Sequence, residues 1–137
     1  MKKALIIVQN KNNTTRRFGE EIAEFLLNRG LAAELIPINS FEPTKLEGTD
    51  YLLLSGGRNG FIFSRSDNEW ESFIKKLPTL NGIKTALFAT YKIFPGSIFK
   101  KMRKYLKGKT DNLSFDLKSR DGYLSVSDKL DLNDFIK

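Results

Sequence analysis

The chain has 137 residues, of which 40% are hydrophobic and 28% charged, and its formal net charge is +7. This length and composition predict one globular domain, residues 1–137, with its own core. The chain has no cysteine and no histidine, which excludes disulfides, thiol nucleophiles, the usual hydrolase triads and histidine-centred metal sites, so any redox chemistry must come from a cofactor.

The chain begins with a pattern of strand, loop and helix. Residues 4–8, ALIIV, form a continuous apolar run, typical of a strand that is covered on both faces. A polar stretch follows, and the next apolar residues share one stripe of a helix: Phe18, Ile22, Phe25 and Leu26. Gly30 stands where such a helix needs a left-handed cap.

The next segment predicts two more strands with a broken connection between them. Residues 33–38 form the second strand, and Pro37 favours a sheet edge because proline cannot donate to a strand ladder. Residues 41–50, interrupted by Pro43 and Gly48, are expected to form one or two helical turns. Residues 51–54 predict a short buried third strand that ends in the loop SGGRNG.

Two further helices flank the predicted fourth strand, residues 85–89. The helix before it ends at Pro78 and has an apolar face made of Trp70, Phe73, Ile74 and Leu77. The helix after it spans about 97–107 and ends at Gly108. Its inward residues are Ile98, Phe99, Met102, Tyr105 and Leu106.

The last part of the chain is the least regular. Residues 113–117 predict a fifth strand, and residues 123–126 are expected to extend it or to pair with it across Asp121-Gly122. Residues 130–136 predict a short closing helix. Neither repeats nor linkers interrupt the sequence, which again favours a single domain.

Strands that alternate with helices predict an α/β protein with a parallel sheet and right-handed crossovers. Five such strands fit the order 2-1-3-4-5, which has a crevice at the switch point between the first and third strands. The apolar run at the start is shorter than the core of a signal peptide, and no segment reaches the roughly 20 apolar residues of a membrane span. We therefore expect a cytoplasmic protein without membrane attachment.

The loop after the first strand is the first candidate binding site. It lies at the start of a helix, where unpaired N–H groups and the positive end of the dipole favour an anion. Its candidate ligands are Asn10, Asn12, Asn13, Thr14 and Thr15. The adjoining cations Arg16 and Arg17 oppose the dipole unless an anion offsets them. The alternative is a polar turn with a good cap and a solvated face.

The opening stretch ALIIVQNKNNTTRRFGEEIAEFL resembles that of a flavodoxin, and so do SGGRNGF and ALFATYKIFPG. The resemblance covers residues 2–117 loosely. It implies a flavodoxin-like three-layer sandwich and places the phosphate of FMN in the first loop. The sequence departs from the family there, because Asn10 and Asn12 replace hydroxyl residues and Asn13 replaces a glycine.

The resemblance also implies that two further loops hold the flavin ring. After the third strand these residues are Gly56, Gly57, Arg58, Asn59, Gly60 and Phe61. The glycines permit a peptide to reorient, and Phe61 is the preferred stacking residue. After the fourth strand the candidates are Thr90, Tyr91 and Lys92, with Tyr91 against the ring and Lys92 near its N1 atom. For both loops the alternative is a turn whose aromatic residues belong to the core.

Positive charge is concentrated in residues 84–110, which contain no acidic residue. The basic ones are Lys84, Lys92, Lys100, Lys101, Arg103, Lys104, Lys107 and Lys109. A solvated lysine-rich face is the usual explanation. A redox partner of this chain is expected to present an acidic surface. Nucleic-acid binding is a poor second, since no recognised motif accompanies the charge.

The leading hypothesis is an FMN-binding electron-transfer protein, an electron carrier rather than a substrate-transforming enzyme. The alternative is a flavodoxin-fold binding or regulatory module that has lost FMN. A flavin-dependent oxidoreductase shares the fold, but no substrate pocket is indicated. A phosphoacceptor receiver domain needs carboxylates where Ser55 and Gln9-Asn10 stand, and low-molecular-weight phosphatases need a cysteine. Both are excluded.

Overall fold

Strands and helices alternate along the chain in a computed structural model that describes residues 1–9, 13–56, 65–91 and 98–137, without the side chains of 65–69. The strands are β1 (Lys3–Val8), β2 (Ala32–Pro37), β3 (Tyr51–Ser55), β4 (Lys84–Thr90) and β5 (Leu113–Ser119). The helices are α1 (Asn13–Asn28), α2 (Arg65–Lys76), α3 (Ile98–Leu106) and α4 (Val126–Phe135).

The five strands form one parallel sheet in the order β2-β1-β3-β4-β5. This confirms the predicted α/β class and strand order. Strand β2 is an edge strand, as Pro37 indicated, and Pro37 is its last paired residue, opposite Val8. The order places a switch point between β1 and β3, where crossovers leave in opposite directions.

Two apolar layers cover the sheet and explain why residues 4–8 of β1 are all apolar. Ala4, Ile6 and Val8 pack into one cluster with residues of α1 and α4. Leu5 and Ile7 point the other way, into a cluster with residues of α2 and α3. Because neighbouring strand residues face opposite sides, a strand buried on both faces needs the unbroken run found here.

The helical stripes lie where the sequence predicted them. In α1, Phe18, Ile22 and Leu26 are fully buried, while Phe25 is partly buried at the rim of the same cluster. Gly30 has φ +88°, the left-handed backbone expected after a helix. Gly108 has the same left-handed backbone after α3, with φ +90°.

Residues 41–50 contain the expected short turns, one of them Pro43–Leu46, a 3-10 helix that follows another at Ile38–Ser40. The predicted strand at 123–126 is wrong. Ser125 instead caps α4 through a capping box with Asp128, so this helix begins at Val126, earlier than the predicted residue 130. A reciprocal cap satisfies two N–H groups that would otherwise lack partners, which fixes the helix start.

Within the described ranges, no helix combines the length and apolar character that crossing a bilayer requires.

Candidate functional site

The carboxyl ends of β1, β3 and β4 meet at one edge of the sheet, and buried hydrogen bonds join them. The N–H of Gln9, directly after β1, donates to the hydroxyl of Ser55 at the end of β3 over 2.9 Å. The N–H of Gly56 donates to the carbonyl of Phe88 in β4 over 3.0 Å. The three strands that were predicted to converge are therefore held together where their loops begin.

Two predicted site residues from different loops are in direct contact at this edge. Thr15, in the first turn of α1, and Thr90, the last residue of β4, have hydroxyl oxygens 2.6 Å apart. Their exposed fractions are 4% and 2%. A hydroxyl has one proton and two lone pairs, and each of these threonines has further interactions besides this one. The pair joins the start of α1 to the end of β4.

The start of α1 has the electrostatic character expected of an anion site. Its first turn has no acidic residue, so the partial positive charge of this 16-residue helix is not offset from within the turn. Asn13 is exposed and Thr14 partly exposed. Arg16 forms an ion pair with Glu20 over 3.6 Å between exposed side chains. Its charge is therefore partly balanced within the helix.

The guanidinium of Arg17 contacts residues of the turn that follows β5. Its Nη1 donates to the carbonyl oxygen of Asp121 over 3.0 Å, and its guanidinium carbon lies 5.0 Å from the centre of the Tyr123 ring. This geometry is that of a cation–π contact. Arg17 thus ties α1 to the turn that follows β5.

That turn, residues 120–125, is a fourth element of the edge that the sequence did not place there. Gly122 has φ +85°, and a Cβ added to it would lie 2.6 Å from the carbonyl oxygen of Thr14. Backbone therefore packs on backbone at the first turn of α1. The Asp121-Gly122 pair indicated a turn in the sequence, but nothing in the sequence specified its contact with α1.

Hydrogen bonds within the turn hold its shape. The Ser119 hydroxyl accepts from the N–H of Gly122 over 2.9 Å and lies 3.0 Å from Asp121 Oδ1. The pKa of the Asp121 carboxyl is held below its ordinary value by the N–H of Tyr123, then by the Ser119 hydroxyl and by the charge of Arg17. Hydrogen bonds and a nearby cation both favour the ionised carboxylate.

Gly56 has a packing role at the end of β3. A Cβ added there would lie 2.4 Å from Met102 Sδ and 3.1 Å from Ile98 Cδ1. Its φ is not positive. The missing side chain allows α3 to pack closely against the end of β3.

Tyr91 lies directly after β4 and is half-buried. Its N–H donates to the carbonyl oxygen of Ser119 over 3.1 Å, which continues the pairing of β4 with β5. The guanidinium carbon of Arg120 lies 5.8 Å from the centre of its ring. The candidate stacking residue is therefore already in contact with a cation from the turn.

The structure locates part of the predicted site. Six of the candidates are described, and all belong to the carboxyl edge: Asn13, Thr14, Thr15, Gly56, Thr90 and Tyr91. The others lie outside the described residues: Asn10, Asn12, Gly57, Arg58, Asn59, Gly60, Phe61 and Lys92. The contact between Thr15 and Thr90 shows that the first turn of α1 lies beside the residue at which the third candidate loop begins.

Comparisons with known proteins identify the fold. No family model matches the chain, and no curated protein matches it in sequence. Solved structures do match. The two-electron reduced flavodoxin of Megasphaera elsdenii is 13% identical with a TM-score of 0.75, and the match covers 96% of each chain.

Two other flavodoxins give the same result. A flavodoxin of Streptococcus pneumoniae is 13% identical with a TM-score of 0.71, covering 97% of this chain and 94% of the other. Oxidised flavodoxin 2 of Bacillus cereus is 14% identical with a TM-score of 0.71, covering 98% and 94%. The protein therefore has the flavodoxin fold, which confirms the predicted resemblance. Identities this low establish the architecture and leave its chemistry to the residues of the site.

Proposed function

We propose that this chain is a single-domain FMN-binding protein that carries electrons between other proteins. The phosphate of FMN binds at the first turn of α1, with Asn10, Asn12, Asn13, Thr14 and Thr15 as its ligands. The flavin ring lies between residues 56–61 and residues 90–92. When bound, FMN supplies the redox chemistry that the side chains of this chain lack.

The observation that carries this proposal is the contact between the hydroxyls of Thr15 and Thr90. Their hydroxyl contact of 2.6 Å joins the loop assigned to the phosphate with the loop assigned to the ring. The first turn of α1, which has no carboxylate, fits a doubly negative group, because N–H groups and hydroxyls there can donate to phosphate oxygens. The flavodoxin fold of the chain adds support to the same assignment.

The residues of this chain bind and orient the cofactor in this proposal and take no other part in the reaction. Tyr91 and Phe61 contact the ring, and the positive charge of Lys92 favours its reduced, anionic form. No side chain acts as an acid, base or nucleophile. The chain is an electron carrier whose redox partners are proteins, and the cytoplasm is the proposed location.

One observation favours a second function. Thr15 is only 4% exposed, and its hydroxyl already contacts Thr90, so this candidate ligand has an internal structural role. A flavodoxin-fold module without FMN would keep this contact and bind a smaller anion at the first turn of α1. Inorganic phosphate is a suitable probe for that alternative.

An isosteric pair of variants tests the phosphate position. Asn13→Asp places a carboxylate at the exposed start of α1, and Asn28→Asp makes the same change at the other end of the helix. We expect Asn13→Asp to weaken FMN binding about tenfold or more through charge repulsion, while Asn28→Asp leaves it unchanged. Titration with FMN, followed by flavin fluorescence and gel filtration, measures the affinity.

Riboflavin, which lacks the phosphate, is the control ligand. It should bind much more weakly than FMN and be indifferent to Asn13→Asp. A carboxylate at a helix start stabilises the helix, so lost binding in this variant cannot be attributed to unfolding. Equal affinity of Asn13→Asp and the unchanged chain for FMN would place the phosphate elsewhere. Binding of inorganic phosphate without retention of FMN would establish the second function.

A further inference from the structure

Among the four helices, α3 has the largest positive charge. Helix α3 has four cations in nine residues and no acidic residue. By contrast, α1 has two arginines and three glutamates, and α4 has one lysine and three aspartates. These two helices cover the opposite face of the sheet from α3. Helix α2, on the same face as α3, has three cations and three carboxylates, so the helices of the two faces differ in net charge mainly because of α3.

Two of the four cations of α3 are balanced by its neighbours. Arg103 forms an ion pair with Asp116 of β5 over 2.6 Å. On the other flank, Lys101 acts on Glu71 of α2, whose pKa is lowered mainly by Lys75 and further by Lys101. Carboxylates of adjacent elements thus lie near both flanks of α3, and Glu71 among them is also paired with Lys75 over 3.2 Å.

A line of lysines occupies the outermost side of α3. Lys100, Lys104 and Lys107 are exposed and follow one another at spacings of four and three, so they lie on one side of the helix and its C-terminal extension. We call these three residues the lysine stripe. In the part of the chain that the structure describes, no ion pair joins the lysine stripe to a carboxylate.

The lysine stripe begins next to the proposed flavin loop. Helix α3 starts at Ile98, and only residues 92–97 separate it from Tyr91. Since the helix that follows a parallel strand begins at the carboxyl edge of the sheet, Lys100, in the first turn, lies at the same edge as Thr90. The stripe extends about 10 Å from there along the helix.

We propose that the lysine stripe docks an acidic surface patch of a redox partner protein and brings that partner to the flavin edge. This inference rests on the proposed function and adds the face and the charge of the partner. A short cationic line suits a transient complex, because electron-transfer encounters are small and depend on electrostatic steering.

The surroundings of the stripe favour a protein over a membrane or a nucleic acid. Membrane-surface helices bury exposed large apolar side chains, but the exposed ones among the described residues lie away from α3: Met1, Leu27, Tyr123, Val126 and Leu130. Single-stranded nucleic acid needs exposed aromatic rings for stacking. The aromatic residues of α3, Phe99 and Tyr105, are instead packed on the core.

Charge-reversal variants distinguish an effect of the lysine stripe from an effect of the net charge. The test variant is K100E/K104E/K107E, and the control is R29E/K129E/K137E, which changes the net charge equally at exposed positions outside α3. The probe is cytochrome c in two forms, unmodified and basic, or succinylated, in which the lysine ammonium groups have become carboxylates. Biolayer interferometry measures binding to the chain without cofactor, and stopped-flow measures electron transfer from the FMN-loaded, reduced chain.

We expect the unchanged chain to prefer the succinylated protein at low salt, and the stripe variant to lose about tenfold in association rate, with the control close to unchanged. Equal losses in both variants would overturn the proposal, because net charge alone would then explain binding. Stronger binding of phosphatidylserine vesicles or of DNA than of succinylated cytochrome c would also overturn it. Binding that depends on the stripe without electron transfer would support the surface and contradict the FMN function.

Discussion

Thr15 and Thr90 are 75 positions apart in the sequence, yet their hydroxyl oxygens lie 2.6 Å from each other at a buried position. A polar group that is removed from water costs free energy unless it is hydrogen-bonded. The bond between the two hydroxyls meets part of this requirement, and each threonine has further interactions, so both can remain buried where the end of β4 meets α1.

We expect Thr15→Val to lower the free energy of unfolding by about 1–3 kcal/mol, because the variant withdraws one partner of a buried hydroxyl. Thr90→Val should have a similar effect, and the double variant should cost less than the sum of the two, with a coupling of about 1 kcal/mol. Urea unfolding followed by circular dichroism measures these values.

Thr49 supplies the control for this cycle. It is also buried, and its hydroxyl donates locally to the carbonyl of Lys45 over 2.9 Å. Thr49→Val combined with Thr15→Val should therefore be additive. Additivity between the Thr15 and Thr90 variants, within about 0.3 kcal/mol, would show that their hydroxyl contact contributes nothing to stability.

At the scale of elements, the turn at residues 120–125 packs against the first turns of α1. It contacts α1 through Gly122 and through Arg17, whose guanidinium bonds the backbone of the turn. A change in the turn should therefore be felt at the start of α1, where the phosphate is proposed to bind.

We expect Gly122→Ala to destabilise the protein by clearly more than the roughly 1–2 kcal/mol that left-handed backbone costs a residue with a Cβ. The added Cβ would meet the carbonyl oxygen of Thr14 at 2.6 Å, and a backbone atom cannot move aside as a side chain can. The same variant should weaken FMN binding. Thermal unfolding and FMN titration measure the two effects.

The variant Gly30→Ala separates the cost of left-handed backbone from the cost of a steric clash. Gly30 has φ +88°, but an added Cβ there would have nothing within 4 Å, so this variant should show only the cost of the backbone conformation and normal FMN affinity. Equal losses of stability for the two glycine variants would mean that the turn moves away from α1 without cost.

The elements could be predicted from the sequence to different extents, for physical reasons. Strand β1 and the edge position of β2 follow from local signals, an unbroken apolar run and Pro37. The turn follows only in part. Asp121-Gly122 indicates it, but Tyr123 and Val126 favour a strand, and this signal competes with the capping-box spacing of Ser125 and Asp128. The contact between Gly122 and Thr14 could not be predicted from the sequence, since no local pattern specifies a partner so distant along the chain.

At the scale of the whole molecule, α4 closes one of the two layers that cover the sheet. Phe135 is 4% exposed, and its ring centre lies 5.3 Å from that of Tyr51 and 5.2 Å from that of Phe115. The Tyr51 hydroxyl also donates to the carbonyl of Ile136 over 3.0 Å. Tyr51 is the first residue of β3, so these contacts lie at the amino ends of the strands, whereas the candidate site lies at their carboxyl ends.

We expect Phe135→Ala to lower the free energy of unfolding by about 3–5 kcal/mol, the usual cost of removing a buried aromatic ring. FMN affinity of the folded variant should not change, because the ring is remote from the carboxyl edge. Leu130→Ala, at a position that is 60% exposed on the same helix, should change stability by less than about 0.5 kcal/mol. Chemical unfolding at equal protein concentration compares the two.

The link between Arg17 and Asp121 spans 104 residues, and this has a consequence during synthesis on the ribosome. A growing chain contains α1 early, whereas Thr90 emerges much later and the turn after β5 later still. Domains that depend on such distant contacts assemble slowly and as a unit. The start of α1 therefore gains its contacts with Thr90 and with the turn only after both of these later segments have been synthesised.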